Sequence, residues 1–295
     1  MNKAIPSIGF GVTSWRSPKT LEGTLRTYTE AGMTQCFDDS ILCLQDASDE
    51  DIEIAGRHNI RWVSQANAGI AESMRRIAME LSTDLVLFLE NDCPLVETIE
   101  QVRSRLGIVK EAFAREQVDI FRLRHRWEVG EGFAMGKYLA CHGIQQAHPD
   151  YQNRELLDSP IARPNQLQRW MRAYKADKLK GRAIYLETAP EKRFPEAIQR
   201  MDCREDEWFL TDSRYLNWTN QSSVVGREWY LQTLMSYVDA HPSSRTSNGF
   251  QSPERPLNCR WWRNQRFRIA VGTGLFTHHR VDGSWRPKHS AYESG

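Results

Sequence analysis

Between Ile8 and Leu89 the chain alternates strand-like and helix-like segments four times, and no other feature limits its possible folds so strongly. Ile8-Gly-Phe-Gly-Val12 reads as a strand followed by a tight loop at Thr13-Ser14-Trp15, and Pro18 then opens a helical pattern through Leu21, Leu25 and Tyr28 to a stop at Gly32. A second strand, Ile41–Gln45, ends at Asp46, with a turn and a short helix from Glu50 to His58. A third, Ile60–Ser64, runs into Gln65-Ala-Asn67-Ala-Gly69, and Ile70, Met74, Ile77, Ala78 and Leu81 keep helical spacing. The fourth strand, Asp84-Leu-Val-Leu-Phe-Leu89, is apolar throughout, as expected of a strand covered on both faces. Such alternation predicts a mostly parallel, doubly wound α/β sheet with its loops gathered along one edge.

The fourth strand ends in Glu90-Asn91-Asp92. Ligands of open α/β sheets collect at the carboxyl ends of the strands, and hard divalent cations are often shared between one or two carboxylates and the phosphates of a nucleotide. Read alone, the triplet is more readily a solvated acidic turn than a cation site.

In order and spacing, the loop ends resemble those of GT-A-fold glycosyltransferases, most closely the inverting enzymes of family 2. Thr13-Ser14-Trp15-Arg16 stands where that family has a P-T-Y/F-N-like loop, and Gln45-Asp46-Ala47-Ser48 where it has D-D-G-S. Asn67-Ala68-Gly69 matches N-x-G, and Glu90-Asn91-Asp92 matches D-x-D with Glu for the first Asp. Further on, Pro253–Arg260 resembles the E-D-x-x-L-x-x-R segment, with Pro253 for its first acid and Glu254 at the position of the base. Gly274–His279 resembles the late strand whose histidine completes the metal site. The likeness covers residues 8–95 and roughly 215–285.

The resemblance implies a GT-A, Rossmann-like fold. Residues 1–118 would be the nucleotide-sugar-binding half and 119–295 the acceptor half of the same domain, with 125–215 a divergent insertion. It implies a nucleotide-sugar-dependent, hexosyltransferase-type enzyme that transfers a sugar to a hydroxyl of a saccharide or glycoconjugate, as in polysaccharide biosynthesis. Mn2+ or Mg2+ would be held by Asp92 and His278, and the donor by Thr13, Trp15, Asp46, Asn67, Gly69, Glu90 and Asn91. Glu254 would be the catalytic base. Only one of His278 and His279 can point inward, because successive strand residues face opposite ways, and the expectation is His278. Two alternatives stay open: a non-catalytic nucleotide- or sugar-binding protein of this fold, and a nucleotidyltransferase, although Thr13-Ser-Trp-Arg16 is a poor Gly-rich phosphate loop.

The middle region and the aromatic residues carry weaker signals. Asp119–Arg124 alternates as a strand, and Gly130, Gly132 and Gly136 suggest a loop over the site. From Pro164 to Gly181 a helical pattern combines apolar Leu167, Trp170, Met171 and Tyr174 with basic Arg169, Arg172, Lys175 and Lys178. It is expected to pack on the core as an ordinary surface helix, with peripheral membrane contact as the other reading. Trp218 lies among polar Asn217, Thr219, Asn220 and Gln221, which suits a saccharide-stacking ring in the acceptor site.

Charge and cysteine usage narrow the class. Thirty-nine basic residues against thirty-eight acids, a net charge of +1, give no polyanion-binding surface, so nucleic acid is not expected as a partner. The six cysteines form neither a C-x-x-C pair nor a disulfide framework, which favours a reducing, cytoplasmic setting. No export signal or transmembrane segment is expected.

Overall fold

The computed structural model describes residues 4–279 except 131–134, 153, 160–166, 168–169, 171–172, 204–206 and 247–248. Its centre is a nine-stranded sheet in the order β3-β2-β1-β4-β8-β5-β9-β7-β6. The strands are β1 (Ile8–Trp15), β2 (Asp39–Gln45), β3 (Arg61–Gln65), β4 (Leu85–Glu90), β5 (Ile120–Arg124), β6 (Gln199–Arg200), β7 (Trp208–Asp212), β8 (Ser223–Gly226) and β9 (Arg268–Phe276). β3, β2, β1 and β4 pair in parallel, β5 pairs in parallel with β9, and only β7 and β8 run against the rest. The mostly parallel, doubly wound α/β sheet expected from the alternation is therefore present. β6, β7 and β8 are strands that the pattern did not announce. β8 enters antiparallel between β4 and β5 and fastens the first half of the sheet to the second.

Helices α1 (Pro18–Glu30), α2 (Asp49–Arg57), α3 (Gly69–Glu80) and α4 (Ile99–Ala114) cover this sheet on both faces. Alternation along the strands divides the side chains between the two layers. Val86 and Phe88 of β4, with Ile41 and Cys43 of β2, join Met74 and Ile77 of α3 in one core. Leu85, Leu87 and Leu89, with Leu42 and Leu44, join Leu21 and Leu25 of α1 and Val102 and Leu106 of α4 in the other. Helix starts follow their sequence signals: Pro18 opens α1, and Ser48 with Asp51 and Thr98 with Gln101 form capping boxes on α2 and α4.

Strand register sets the working edge of the sheet. Trp15 is level with Gln45, and Gln45 with Gln65, while Thr13 is level with Glu90. The loops that leave these strands therefore open side by side. Thr13-Ser14-Trp15, expected to be loop, continues β1 because its backbone pairs with Cys43-Leu44-Gln45.

Two further expectations change. Gly136 lies within a helix, α5 (Met135–His142), rather than in a loop, and Gly132 is outside the described residues. Of the helix expected over 164–181, Ala173–Asp177 is helical, and so are Leu167 and Trp170, whereas Arg169, Met171 and Arg172 lie outside the described residues. Leu167 and Trp170 face solvent, Trp170 at 80% exposure, so packing on the core fails at these two positions. Among the described residues no helix is long and apolar enough to cross a membrane. The six cysteines are not joined in disulfides.

Gly11 of β1 lies directly under α3: a Cβ there would collide with Ile77. Gly56, on the exposed side of α2, has nothing within 4 Å of a Cβ. Gly11→Ala should lower stability by about 1–3 kcal/mol through overpacking, whereas Gly56→Ala should raise it by about 0.5–1 kcal/mol through helix propensity. Denaturation midpoints of the two variants, measured side by side, check the pair.

Candidate active site

Asp46 ties the first three loops together. It follows β2 with a positive φ of 49°, and its Oδ1 accepts the Asn67 N–H at 3.0 Å. Its Oδ2 accepts the Trp15 indole N–H at 3.1 Å and meets the Arg16 guanidinium at 3.3 Å. The Asn67 N–H, then Trp15 and Arg16, hold the carboxyl below its ordinary pKa, so it stays ionised. Gln45 Oε1 takes the Ala68 N–H at 3.2 Å, and Asn67 Oδ1 takes the Gly69 N–H at 2.9 Å. The Trp15 ring is 37% exposed, with the Arg16 guanidinium 5.6 Å from its centroid. An aromatic face, a cation and a fixed carboxylate thus meet at the ends of β1 and β2.

Other expected donor contacts point inward. The Thr13 hydroxyl is buried against Ser73 of α3, and the Asn91 amide donates to Ser14 Oγ at 3.2 Å. Both side chains brace the loops. Gly69, at φ 82°, does allow a close approach, but to Phe250: a Cβ at this position would strike that side chain. In each case the contact expected for a ligand is occupied by the chain itself.

The end of β4 gathers three groups able to hold a metal ion. Asp92 and His278 are 1% and 4% exposed, with Nε2 of His278 3.2 Å from Asp92 Oδ1. Half-buried Glu90 completes a set whose ligand atoms all lie within 4.8 Å of one another. Two carboxylates and an imidazole, clustered and buried, fit a hard or borderline divalent cation such as Mn2+ or Mg2+. Burial works to lower the His278 pKa, but hydrogen bonding and the charge of Asp92, with Glu90 behind it, outweigh burial and hold it above the ordinary value. His279 is exposed, and its N–H donates to the Asp92 carbonyl at 2.8 Å. The pair therefore divides, with His278 buried and His279 exposed.

The backbone around the cluster is fixed from several sides. Thr24 Oγ1 donates to the Asn91 carbonyl and Tyr28 Oη to the Cys93 carbonyl, both at 2.6 Å. The Thr277 N–H donates to the Pro94 carbonyl at 3.1 Å. Gly130, at φ 67°, lies against the His278 backbone so closely that a Cβ would overlap it. Behind this wall Glu97 bridges Arg105 at 2.8 Å and His125 at 3.0 Å, and Arg105 also donates to the Gly274 carbonyl at the bend of β9.

Arg124 was not singled out by the sequence pattern. Its buried guanidinium donates from Nε to the Val129 carbonyl at 2.7 Å and from Nη1 to Gln221 Oε1 at 2.8 Å. Its charge acts on His278 and feels that of Glu90. A cation at an alternating position of a strand reads as solvent-facing, so only the fold reveals it.

Glu254 opens the helical turn Glu254–Leu257, and its Oε1 accepts the Asn220 N–H at 3.2 Å. Gln221, the next residue, is the acceptor for Arg124, so a short hydrogen-bonded path joins Glu254 to the cation beside the metal ligands. The preceding Gln251 carbonyl accepts the Ala71 N–H at 3.4 Å, which keeps this segment against the start of α3.

Trp218 is placed differently from the expectation of a sugar platform. It is 2% exposed, stacks on Tyr230 and meets Trp262 edge-on, and its indole N–H is taken by Asn220 Oδ1 at 3.0 Å. Asn220, one of the polar neighbours that suggested a saccharide site, satisfies the buried indole, Asn258 satisfies its backbone, and the ring fills the core.

No protein-family model and no curated protein matches this sequence. Among solved structures it is similar to a mannosyltransferase from Pyrobaculum calidifontis in complex with GDP-Man and Mn2+, at 12% identity and a TM-score of 0.35 over 41% of this chain and 36% of that one. It is also similar to glucosyl-3-phosphoglycerate synthase from Mycobacterium tuberculosis, in complex with Mn2+ and UDP-glucose, at 17% identity and a TM-score of 0.33 over 40% of this chain and 43% of that one. A third is mannosyl-3-phosphoglycerate synthase from Rubrobacter xylanophilus, at 19% identity and a TM-score of 0.34 over 43% of each chain. The chain thus spans about two fifths of the length of each of these structures.

Asp46→Ala removes the acceptor shared by the first three loops and leaves the core untouched. Amide hydrogen exchange at Asn67 should accelerate at least tenfold while the melting temperature stays within a few degrees of the parent value; unchanged exchange at Asn67 would show that the loops hold without it.

Proposed function

We propose that this protein is a metal-dependent glycosyltransferase that moves a sugar from a nucleoside-diphosphate sugar to a hydroxyl of a saccharide or glycoconjugate, with inversion at the anomeric carbon. The carrying observation is the Glu90–Asp92–His278 cluster at the carboxyl edge of a mostly parallel sheet, beside the two strand ends that present Trp15 with Arg16, and Asp46. That edge is where open α/β sheets bind nucleotides. Asp92 and His278, with Glu90, would hold Mn2+ or Mg2+, which when bound supplies a Lewis acid that neutralises the departing diphosphate.

The chain's own groups have separable tasks. The exposed Trp15 ring offers the nucleoside a stacking face, and Asp46 offers its base or ribose an ionised acceptor held in place by Asn67. Arg124 adds a buried positive charge on the diphosphate side, where loss of solvent strengthens its field. Glu254 takes the proton of the attacking hydroxyl as the new bond forms; Asn220 fixes one of its oxygens and leaves the other for this task. Attack opposite the leaving group in one displacement inverts the configuration. In this reading residues 1–118 carry the donor and 119–295 the acceptor.

Two variants test separate halves of the proposal. For the parent protein, UDP or GDP together with Mn2+ should raise the melting temperature above the level reached with the nucleotide alone. Asp92→Ala should abolish that metal-dependent increment without loss of the fold, and an undiminished increment would remove Asp92 from the cation site. Glu254→Gln should retain donor binding while turnover falls by roughly a hundred- to ten-thousand-fold. If this variant keeps near-normal turnover, or loses melting temperature in place of rate, Glu254 is a structural acceptor for Asn220 and not the base.

A further inference from the structure

At the opposite end of β9 from His278, the structure has a second feature that this chemistry does not use. A cavity of about 420 Å³ is lined by Lys178, Arg214, Arg260, Arg263 and Arg266, with Asp177 as the acid among them. Arg260–Gln265 forms a helical turn directly before β9, and Arg214 follows β7, whose last residue, Asp212, pairs with Arg268, the first of β9. His278 lies two residues beyond the other end of that strand. A strand of this length extends about 25 Å, so the cavity and the metal cluster open on opposite edges of the sheet.

Several of these cations are held in position. Arg214 Nε donates to Asp177 at 3.0 Å and Arg266 Nε to Asp212 at 2.7 Å, and the two guanidiniums lie 5.4 and 5.7 Å from the centroid of the Tyr215 ring. Asp177 is shared with Lys180 at 2.8 Å, so its single charge is already divided between two cations. Among the described residues neither Lys178 nor Arg260 forms an ion pair. Burial, followed by the charges of Lys175, Arg182 and Lys137, holds the Lys178 ammonium below its ordinary pKa, as expected where positive charge is crowded. A surplus of cations in a concave site of ligand size favours a multiply charged anion, and guanidinium groups match phosphate oxygens in geometry.

We propose that this cavity binds a compound bearing a multiply charged phosphate group, at a site separate from the candidate metal centre. The phosphate could come from a soluble metabolite or from a lipid headgroup, the latter because the chain leading to Asp177 exposes Leu167 and Trp170.

The test titrates the full chain, freed of divalent metal by EDTA and then dialysed, with sodium pyrophosphate in a calorimeter. Binding should occur without metal and be unchanged in Asp92→Ala, which separates it from the donor site. Lys178→Ala with Arg260→Ala should weaken it roughly tenfold or more, since each contributes a hydrogen bond to a charged group; Arg260→Glu alone should do the same, with melting temperatures confirming the fold. Absence of pyrophosphate binding, or equal affinity in the folded double variant, overturns the proposal. A second arm sediments the protein with phosphatidic-acid vesicles. Given pyrophosphate binding, sedimentation that pyrophosphate competes away assigns the lipid source, and no sedimentation assigns the soluble one.

Discussion

The burial of β4 on both faces is the constraint from which the site follows. Five apolar residues, Leu85–Leu89, must lose contact with water, and α3 on one face with α1 and α4 on the other remove it. A strand so covered cannot slip in register without turning each layer inside out. Thr13 and Glu90 are therefore fixed at one level, and the first residue able to reach water at the end of β4 is an acid. The hydrophobic effect sets where the strand ends, and electrostatics uses that end.

The charges collected there carry a desolvation cost. Taking carboxylates, an imidazole and a guanidinium out of water is unfavourable unless they compensate one another, and a buried ion pair is weak evidence for stability in its own right. Asp92 with His278, Glu97 with Arg105 and His125, and Arg124 with Val129 and Gln221 form successive tiers behind the edge. Compensation extends outward into the loops, where Asp46 is stabilised by donors from two different strand ends. The resulting edge is rigid in its walls and polar in its interior, as a site for a charged ligand requires.

Much of this was legible in the sequence for one reason: the first four strands and their helices are local, and periodicity reports burial over five to ten residues. Their positions and the placing of Glu90 and Asp92 at a strand end follow from that. What was not legible depends on distant partners. β8 inserts antiparallel because Val224 and Val225 fit between β4 and β5, and nothing in a short segment announces that. Arg122, Arg124 and Arg126 look like a solvent face and are buried, because the Asn217 carbonyl, the Gln221 amide oxygen and the Glu207 carboxylate, all far along the chain, receive them. Trp218 misled for the converse reason: its polar neighbour Asn220 serves a buried indole. Thr13, Gly69 and Asn91 are near the expected edge, but their side chains or close contacts serve the loop frame, a distinction set by a rotamer and not by composition.

The glycines that wedge the frame also bear on how such a chain can diverge. Gly9 against Thr83 and Leu81, Gly11 under α3, Gly130 against the backbone of His278, and Gly274 against that of Arg124 each occupy a place where even a methyl group meets other atoms. Surface acids can exchange Asp for Glu and loops can lengthen, but none of these four points accepts an added methyl group without a shift of its neighbours. Over long descent the absence of a side chain would thus be inherited more faithfully than the functional groups it supports. A distant relative would then be recognised by where it has nothing, before it is recognised by what it carries.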